Sequence, residues 1–546
     1  MVSIDQSTFQ SKAPGRASLL DVPAGRVSWR IWALWLVVFG AFSMIIPRDA
    51  SYDVVHYHLY NGWAFLNAPA GGHLAPAEMH SFLNPLWQAL VWQLIEVLPG
   101  HGVAFVLGAL QALILPVLYA LTRRALAVLN IIPPAAAVLS IAVAGFLCEA
   151  QFGLLSSVRN DALSALLFLA ALLSLFPSKG GAPRLKDLAW ASALLGLGLG
   201  LKPTNGVYVV GFAVAAIVAL PDWQARVRGA AVCALCGAFG ILAGGGIWMW
   251  HLWETFGNPL FPMANDVFAA PLGPEGGFRD TRYLPDGPLD ALWRPFAFLF
   301  NGELINEHDF FDPRFLMAYL AAPAILIMAW RSKRQETRPL VALAVAIVTV
   351  FVAWSAVFSI ARYAAALWML GPTTLAVAVA MARPKWLTAP KTGLYAVVGA
   401  VLLVAVTKPA QLRRVPLGEF GAPYVSVMLP DTTSYEDATI VFAGGYPSAF
   451  MAYAFPDSAQ ITHTVPQDWS APALERYREA LIRPAIAGSE TVYAVIVDTE
   501  DHFEETKERL ARIEGYGLNE AHCEVIGTNF SSDGVAWRIC PMVLLK

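Results

Sequence analysis

The stretch Pro47–Asn67, PRDASYDVVHYHLYNGWAFLN, decides how this chain is read. It follows the apolar run IWALWLVVFGAFSMII (31–46) directly, and it sets an acid, Asp53, beside two histidines, His56 and His58, and the aromatics Tyr57, Tyr60 and Trp63. From Asp49 to Glu96 there is no lysine or arginine, and the gap runs on to Arg123. A long aromatic loop without basic residues belongs on the outer face of a membrane, because basic residues are retained on the cytoplasmic side.

The rest of the composition agrees. Of the 546 residues 57% are hydrophobic and only 14% charged, and mean hydropathy is +0.54. Those values describe a polytopic membrane protein. A net charge of -3 gives no reason to expect a nucleic-acid partner. The five cysteines form no zinc pattern. Cys233 and Cys236 make a C-x-x-C, but they sit in AAVCALCGAFGILAGG, where small residues point to close helix packing.

A spanning helix needs roughly 20 apolar residues, and about eleven runs approach that length. They lie at 29–47, 102–121, 132–149, 161–177, 187–201, 204–220, 229–249, 314–330, 339–358, 363–382 and 391–407. The run before 29 is polar, carries Arg16 and Arg26, and has no convincing cleavage site, so 1–28 reads as a cytoplasmic segment before a retained first helix. Segment 84–98, NPLWQALVWQLIEVL, is short and suits a helix lying in the interface. Basic clusters at 123–124, 179–186, 226–228, 331–338 and 383–391 fall on alternate loops, on the side of the N-terminus. The loops 48–101, 150–160, 202–204, 249–313 and 359–362 then face outward, and so does the tail from 408.

That tail, 408–546, changes character. TIVFAGG, TVYAVIVD, CEVIGT and VAWRICPMVL read as strands, and HFEETKERLARIEGYG as a helix with a glycine stop. The expected fold is therefore mainly α, a polytopic bundle with a long first outer loop and a small C-terminal α/β domain. Cys523 and Cys540 could pair there in an oxidising compartment.

Candidate chemistry sits in the outer loops. If 52–66 is helical, Asp53, His56, Tyr57 and Tyr60 share a face, and a carboxylate at the lip of a membrane cavity can take a proton from a hydroxyl. The alternative is structural: Asp53 caps a helix, and Tyr57, Tyr60 and Trp63 belong to an aromatic belt. Glu78 and His80 follow in the same loop as contacts, acid/base groups or ligands. The spacing supports no metal site, and a divalent ion is left open. Arg159 and Asp161 stand at outer helix ends, where such charges face a cavity or pair with each other. Lys202, in GLGLGLKPTNG, lies outside against the charge trend, and a phosphate ligand would explain it. Arg362-Tyr363 opens a helix on the same side, and arginine engages phosphate bidentately. The acids and arginines of 249–313 are too many to rank.

Asp53 just past the first helix, the long first outer loop, Arg362-Tyr363 at a later helix start and the soluble outer tail together resemble the GT-C superfamily of polytopic glycosyltransferases. The resemblance covers roughly 29–407. It implies a sugar donor linked to polyprenyl phosphate, a lipid or glycan acceptor, surrounding membrane lipids, and a bacterial inner membrane with the tail in the periplasm. It implies that Asp53 deprotonates the acceptor with inversion at the anomeric carbon. Lys202, Arg362 and Arg159 would stabilise the departing phosphate, and Tyr57 and Trp63 would stack on the sugar. Asp53 is not followed by a second acid as in protein O-mannosyltransferases, and a W-W-D-like signature is missing. A transporter of lipid-linked saccharides and a non-catalytic envelope assembly protein are the alternatives.

Overall fold

The computed structural model describes residues 27–69, 71–177, 181–275, 280–332, 335–464, 471–531 and 535–545. The expected cytoplasmic segment 1–28 lies almost wholly outside the described residues, as does Lys179 of one basic cluster.

A helix occupies each of the eleven apolar ranges. Five helices are long and apolar enough to cross a membrane: Gly100–Ala127, Trp223–Phe256, Arg314–Ser332, Gln335–Val357 and Ala361–Ala382. Trp29–Ser43, Ala135–Phe146, Asp161–Leu175, Pro203–Ala219 and Thr392–Val406 are apolar but shorter. Among the described residues, five of the eleven expected runs therefore have the length and composition of a span.

Local chemistry sets the breaks. The Asp222 carboxylate accepts from Ala225 N and starts Trp223–Phe256, and left-handed Gly257 (φ 70°) stops it. At LKPTN the helix ends at Leu201, Lys202 is extended, and Pro203 starts a new turn, so the two short runs are indeed separate. Leu185–Leu201 and Trp223–Phe256 lie backbone to backbone. A Cβ on Gly196 would strike Gly237 O, one on Gly240 would strike Ala193 O, and one on Gly244 would strike Leu197 O. This is the close approach that small residues permit between membrane helices.

Among the described residues, ten strands complete the fold. They are β1 (Arg48–Asp49), β2 (His73–Leu74), β3 (Arg414–Val415), β4 (Val427–Met428), β5 (Thr439–Ala443), β6 (Gln460–Thr464), β7 (Val492–Val497), β8 (Tyr516–Leu518), β9 (Glu524–Thr528) and β10 (Trp537–Leu544). The main sheet runs β2-β6-β5-β7-β10-β9-β4, with β8 paired to β10. Strands β2, β6, β5 and β7 are mutually parallel, and β10 turns antiparallel to β7. Alternate residues of β5 enter opposite cores: Ile440 and Phe442 pack with Phe450 and Trp537, while Val441 and Ala443 pack with Leu474 and Tyr477. Cys523 and Cys540 are disulfide-bonded.

The tail is not self-contained within 408–546. Strand β2 comes from the first loop, and β1 of that loop pairs with β3 of the tail. A two-residue strand carries no periodicity, which is why the sequence shows nothing of it. Asn84, from the same loop, donates to Gly200 O and Gly244 O and pins the loop onto the glycine-rich helix pair (both 2.8 Å).

Candidate active site

The expected outer loops meet at one end of the bundle. A cavity of about 670 Å³ is lined by residues of 50–57, 79–83, 159, 202–204, 263–308, 357–363, 412–413, 445–447 and 502. Each of the five loops assigned outward contributes, and so does the tail. Among the described lining residues, arginine and lysine outnumber aspartate and glutamate five to three.

Asp53 stands in this cavity at the start of a π-helical turn, Val54–His58, that runs into the helix Leu59–Asn67. Its side chain makes no cap hydrogen bond, so the capping reading is set aside. Its Oδ2 instead lies 2.9 Å from Arg362 Nη2, with 16% and 19% of the two side chains exposed. Burial pushes the carboxyl up, but the guanidinium groups of Arg362, first, and Arg159 outweigh it and hold Asp53 well below the usual carboxylate range. Asp53 is therefore an ionised carboxylate at neutral pH.

Arg362 is delivered by a turn. Trp354 O accepts from Ser359 N, Ser359 takes a left-handed conformation (φ 52°), and the 3-10 turn Ala361–Ala364 follows. Such a conformation in a residue other than glycine costs of order 1–3 kcal/mol and is typical of functional sites. Arg362 also reaches Glu307 at 3.6 Å. The Tyr363 ring lies 5.2 Å from the Arg362 guanidinium and 4.8 Å from Lys202 Nζ, so it holds both cations through its face.

Two acids stand behind the cationic wall. Lys202 Nζ bonds Asp161 Oδ1 at 2.6 Å, and Arg159 Nε pairs with Asp49 Oδ2 at 3.0 Å. The expected pairing of Arg159 with Asp161 is thus replaced by two separate pairs. Each charge finds a partner from another loop. Asp49 was missed by the sequence reading although it lies in the opening stretch, because nothing local marks it as Arg159's partner.

Other expected residues divide. Tyr57, His80 and Tyr363 line the cavity, and the Tyr57 and His80 rings stack at 4.9 Å. The π turn, which adds a residue to each turn, breaks the expected face. His56 packs edge-on to His80 and His463, His58 Nδ1 is bonded by Gln88 Nε2 at 2.8 Å, and Tyr60 OH is bonded to His73 Nδ1 at 3.1 Å. Trp63 is corrected most clearly. It lies in a separate surface groove with Trp92 and Tyr453, outside the Asp53 cavity. Glu78 is buried, 3.8 Å from His463 Nε2, and is not in the cavity wall. Burial lowers His58 to about 3 and His80 and His463 to about 4, and lowers His56 well below its ordinary value. These rings are neutral at pH 7. Among the described residues, no group of three or more histidine, cysteine, aspartate or glutamate side chains is arranged to hold a metal ion.

Arg282, Glu307, His308, Arg413, Tyr446 and His502 also line the cavity. Sequence offered no ranking for the first three, and the last three come from the tail, which carried no motif.

No protein-family model matches the chain, and no curated protein matches it. Among solved structures, it is similar to the Archaeoglobus fulgidus oligosaccharyltransferase in its apo form, with 13% identity and a TM-score of 0.44 over 85% of this chain and 68% of that one. The same enzyme in complex with zinc and sulfate gives 12% identity and a TM-score of 0.41 over 87% and 68%. The arabinofuranosyltransferase AftD from Mycobacteria gives 15% identity and a TM-score of 0.44 over 94% of this chain, which spans 40% of that protein.

Proposed function

We propose that this chain is an inverting membrane glycosyltransferase, which moves one sugar from a polyprenyl-phosphate donor to a lipid, glycan or polysaccharide acceptor. The observation that carries this reading is an ionised Asp53 paired to Arg362 in a cavity that also presents Lys202 and Arg159. A cationic wall suits a phosphate leaving group, and a carboxylate beside it suits an attacking hydroxyl.

In the step, the acceptor oxygen bonds to the anomeric carbon from the face opposite the phosphate. The bond from that carbon to the phosphate oxygen breaks, its electron pair passes to the phosphate, and the acceptor proton passes to Asp53. Lys202 and Arg362 stabilise the charge gained by the phosphate. Phosphate also competes with Asp53 for Arg362, so donor binding loosens the ion pair and frees the base. The gathering of the loops that lack basic clusters at one end supports a site on the outer face. The Cys523–Cys540 disulfide supports an oxidising compartment such as a bacterial periplasm.

The test is complementation of a deletion strain with wild type and Asp53→Asn, scoring envelope lipids and polysaccharides by mass spectrometry. The asparagine keeps size and hydrogen bonding but accepts no proton. Loss of one sugar in the deletion, restored by wild type and not by an equally abundant variant, is expected. Full restoration by Asp53→Asn removes the base assignment and favours transport or scaffolding.

A further inference from the structure

The main sheet brings a second wall to the cavity. Strand β5 leads to β6 on one side, and the chain then crosses to β7 on the other side of β5. Helix 59–67 and turn 449–454 cover one face, and segment 471–488 covers the other. The winding therefore reverses between β5 and β7. In open α/β sheets ligands bind outside the carboxyl ends of the strands at such a reversal, where the two connections diverge and leave a crevice.

The segments leaving that point are Gly444–Ser448 after β5 and Asp498–His502 after β7. Gly445, Tyr446, Pro447 and His502 from these segments line the cavity that holds Asp53. The crevice of the sheet and the cavity of the membrane bundle are one space. Gly444 makes this possible: its φ of 90° suits glycine, and a Cβ there would strike Thr506 of the following helix.

The wall has a defined chemistry. The Tyr446 and His502 rings meet edge-on at 5.6 Å, and His502 Nδ1 is bonded to Thr499 Oγ1 at 2.8 Å. The Arg413 guanidinium lies 5.9 Å from the Tyr446 ring and 5.8 Å from that of Trp537, with Nη2 donating to Phe530 O at 2.6 Å. Trp537 Nε1 donates to Ser448 Oγ at 3.1 Å and fixes the loop from behind. Among the described cavity-lining residues of the tail, the one cation, Arg413, is engaged with rings and a carbonyl, whereas Lys202, Arg159 and Arg362 stand on the helical side. An aromatic face, an imidazole edge and backbone polar groups fit an uncharged sugar, which has an apolar C–H face and a rim of hydroxyls.

We propose that the carboxyl edge of β5 and β7 is the acceptor subsite, holding a saccharide with one ring face against Tyr446 and its hydroxyls toward His502. The inference rests on reading the Asp53 cavity as a glycosyl-transfer site. It gives the tail domain a direct part in substrate selection.

The test uses the full chain in the deletion strain, with Tyr446→Ala, Tyr446→Phe and His502→Ala at equal membrane abundance. Envelope glycan is scored by mass spectrometry, and farnesyl phosphate binding is measured on the purified proteins. Tyr446→Ala is expected to lower product roughly ten-fold through loss of ring packing. Tyr446→Phe is expected to retain product, and all three variants to bind farnesyl phosphate as wild type does. Should Tyr446→Ala fail to accumulate, His502→Ala and Tyr446→Leu carry the comparison. Unchanged product in the alanine variants overturns the subsite and leaves the Asp53 reading standing. Loss of farnesyl phosphate binding together with product places this edge in the donor site and overturns it too. A wild type that restores no sugar and binds no farnesyl phosphate removes the transfer reading, and the subsite falls with it.

Discussion

Replacing the candidate base should tighten the binding of the product's head group. Asp53 Oδ2 is 2.9 Å from Arg362 Nη2, so a phosphate that engages Arg362 competes with the carboxylate and then sits beside it. Two unit charges about 6 Å apart at an effective dielectric near 20 repel by about 3 kcal/mol. With a sixth of the Asp53 side chain open to solvent, screening reduces that figure to roughly half. Each 1.4 kcal/mol is about ten-fold in affinity. Asp53→Asn is therefore expected to bind farnesyl phosphate about ten-fold more tightly than wild type while transferring no sugar. Titration calorimetry of the detergent-solubilised proteins reads the first effect, and complementation reads the second. The reasoning fails if the asparagine variant binds farnesyl phosphate as wild type does or more weakly. That result would mean that the Asp53–Arg362 pair does not contend with phosphate.

Lys202→Met should act in the opposite sense and weaken farnesyl phosphate binding ten-fold or more, since it removes a cation and leaves Asp161 buried without its 2.6 Å partner; the same titration measures it. Stability should fall on acidification below neutrality. His56, His58, His80 and His463 are held neutral by burial, with His80 and His463 lowered to about 4, while an unfolded histidine takes a proton below about 6.5. The unfolded state therefore binds more protons from about pH 6.5 down, and each such histidine loses about 1.4 kcal/mol of stability per pH unit in that window. Thermal unfolding at pH 7.5 and 5 checks this, and His80→Gln should flatten the slope. Asp53 acts in a separate window, because its depressed carboxyl loses stability only as pH falls below the ordinary carboxylate value of about 3.9. Cys523→Ser should cost about 3 kcal/mol, the chain-entropy value for a loop of this length, read as lower resistance of the tail to proteolysis. Gly240→Val should reduce folded yield, since its side chain would enter the backbone at Ala193.

Apolar runs, alternating basic clusters and the period of the tail strands were enough to place the helices, the glycine stop at Gly515 that ends the helical run 500–514 and four of the sheet's strands. Those features are legible because each depends on residues close in sequence: a helix needs its own apolar run, and a C-cap needs its own glycine. The Pro47–Asn67 stretch also pointed to Asp53 at the cavity. What it could not show was the partner of each charge. Arg159 and Asp161 are two residues apart, yet they bond Asp49 and Lys202, because ion pairs are decided by which loops meet and not by spacing. A π turn occupies Val54–His58, and of the expected rings Tyr57 lines the Asp53 cavity while His56 and Tyr60 pack elsewhere; one inserted residue is invisible to a pattern with a helical period. Strand β2 and the loop after β5 are the clearest cases. Two residues of the first loop join the tail sheet, and Tyr446 and His502, about 400 residues from Asp53 in the chain, share its cavity. The sequence by itself determined a membrane bundle with an acid at its mouth and an α/β tail. Only the tertiary structure decided that the carboxyl edge of that tail closes over the acid, because that contact is made between segments whose sequences bear no mark of each other.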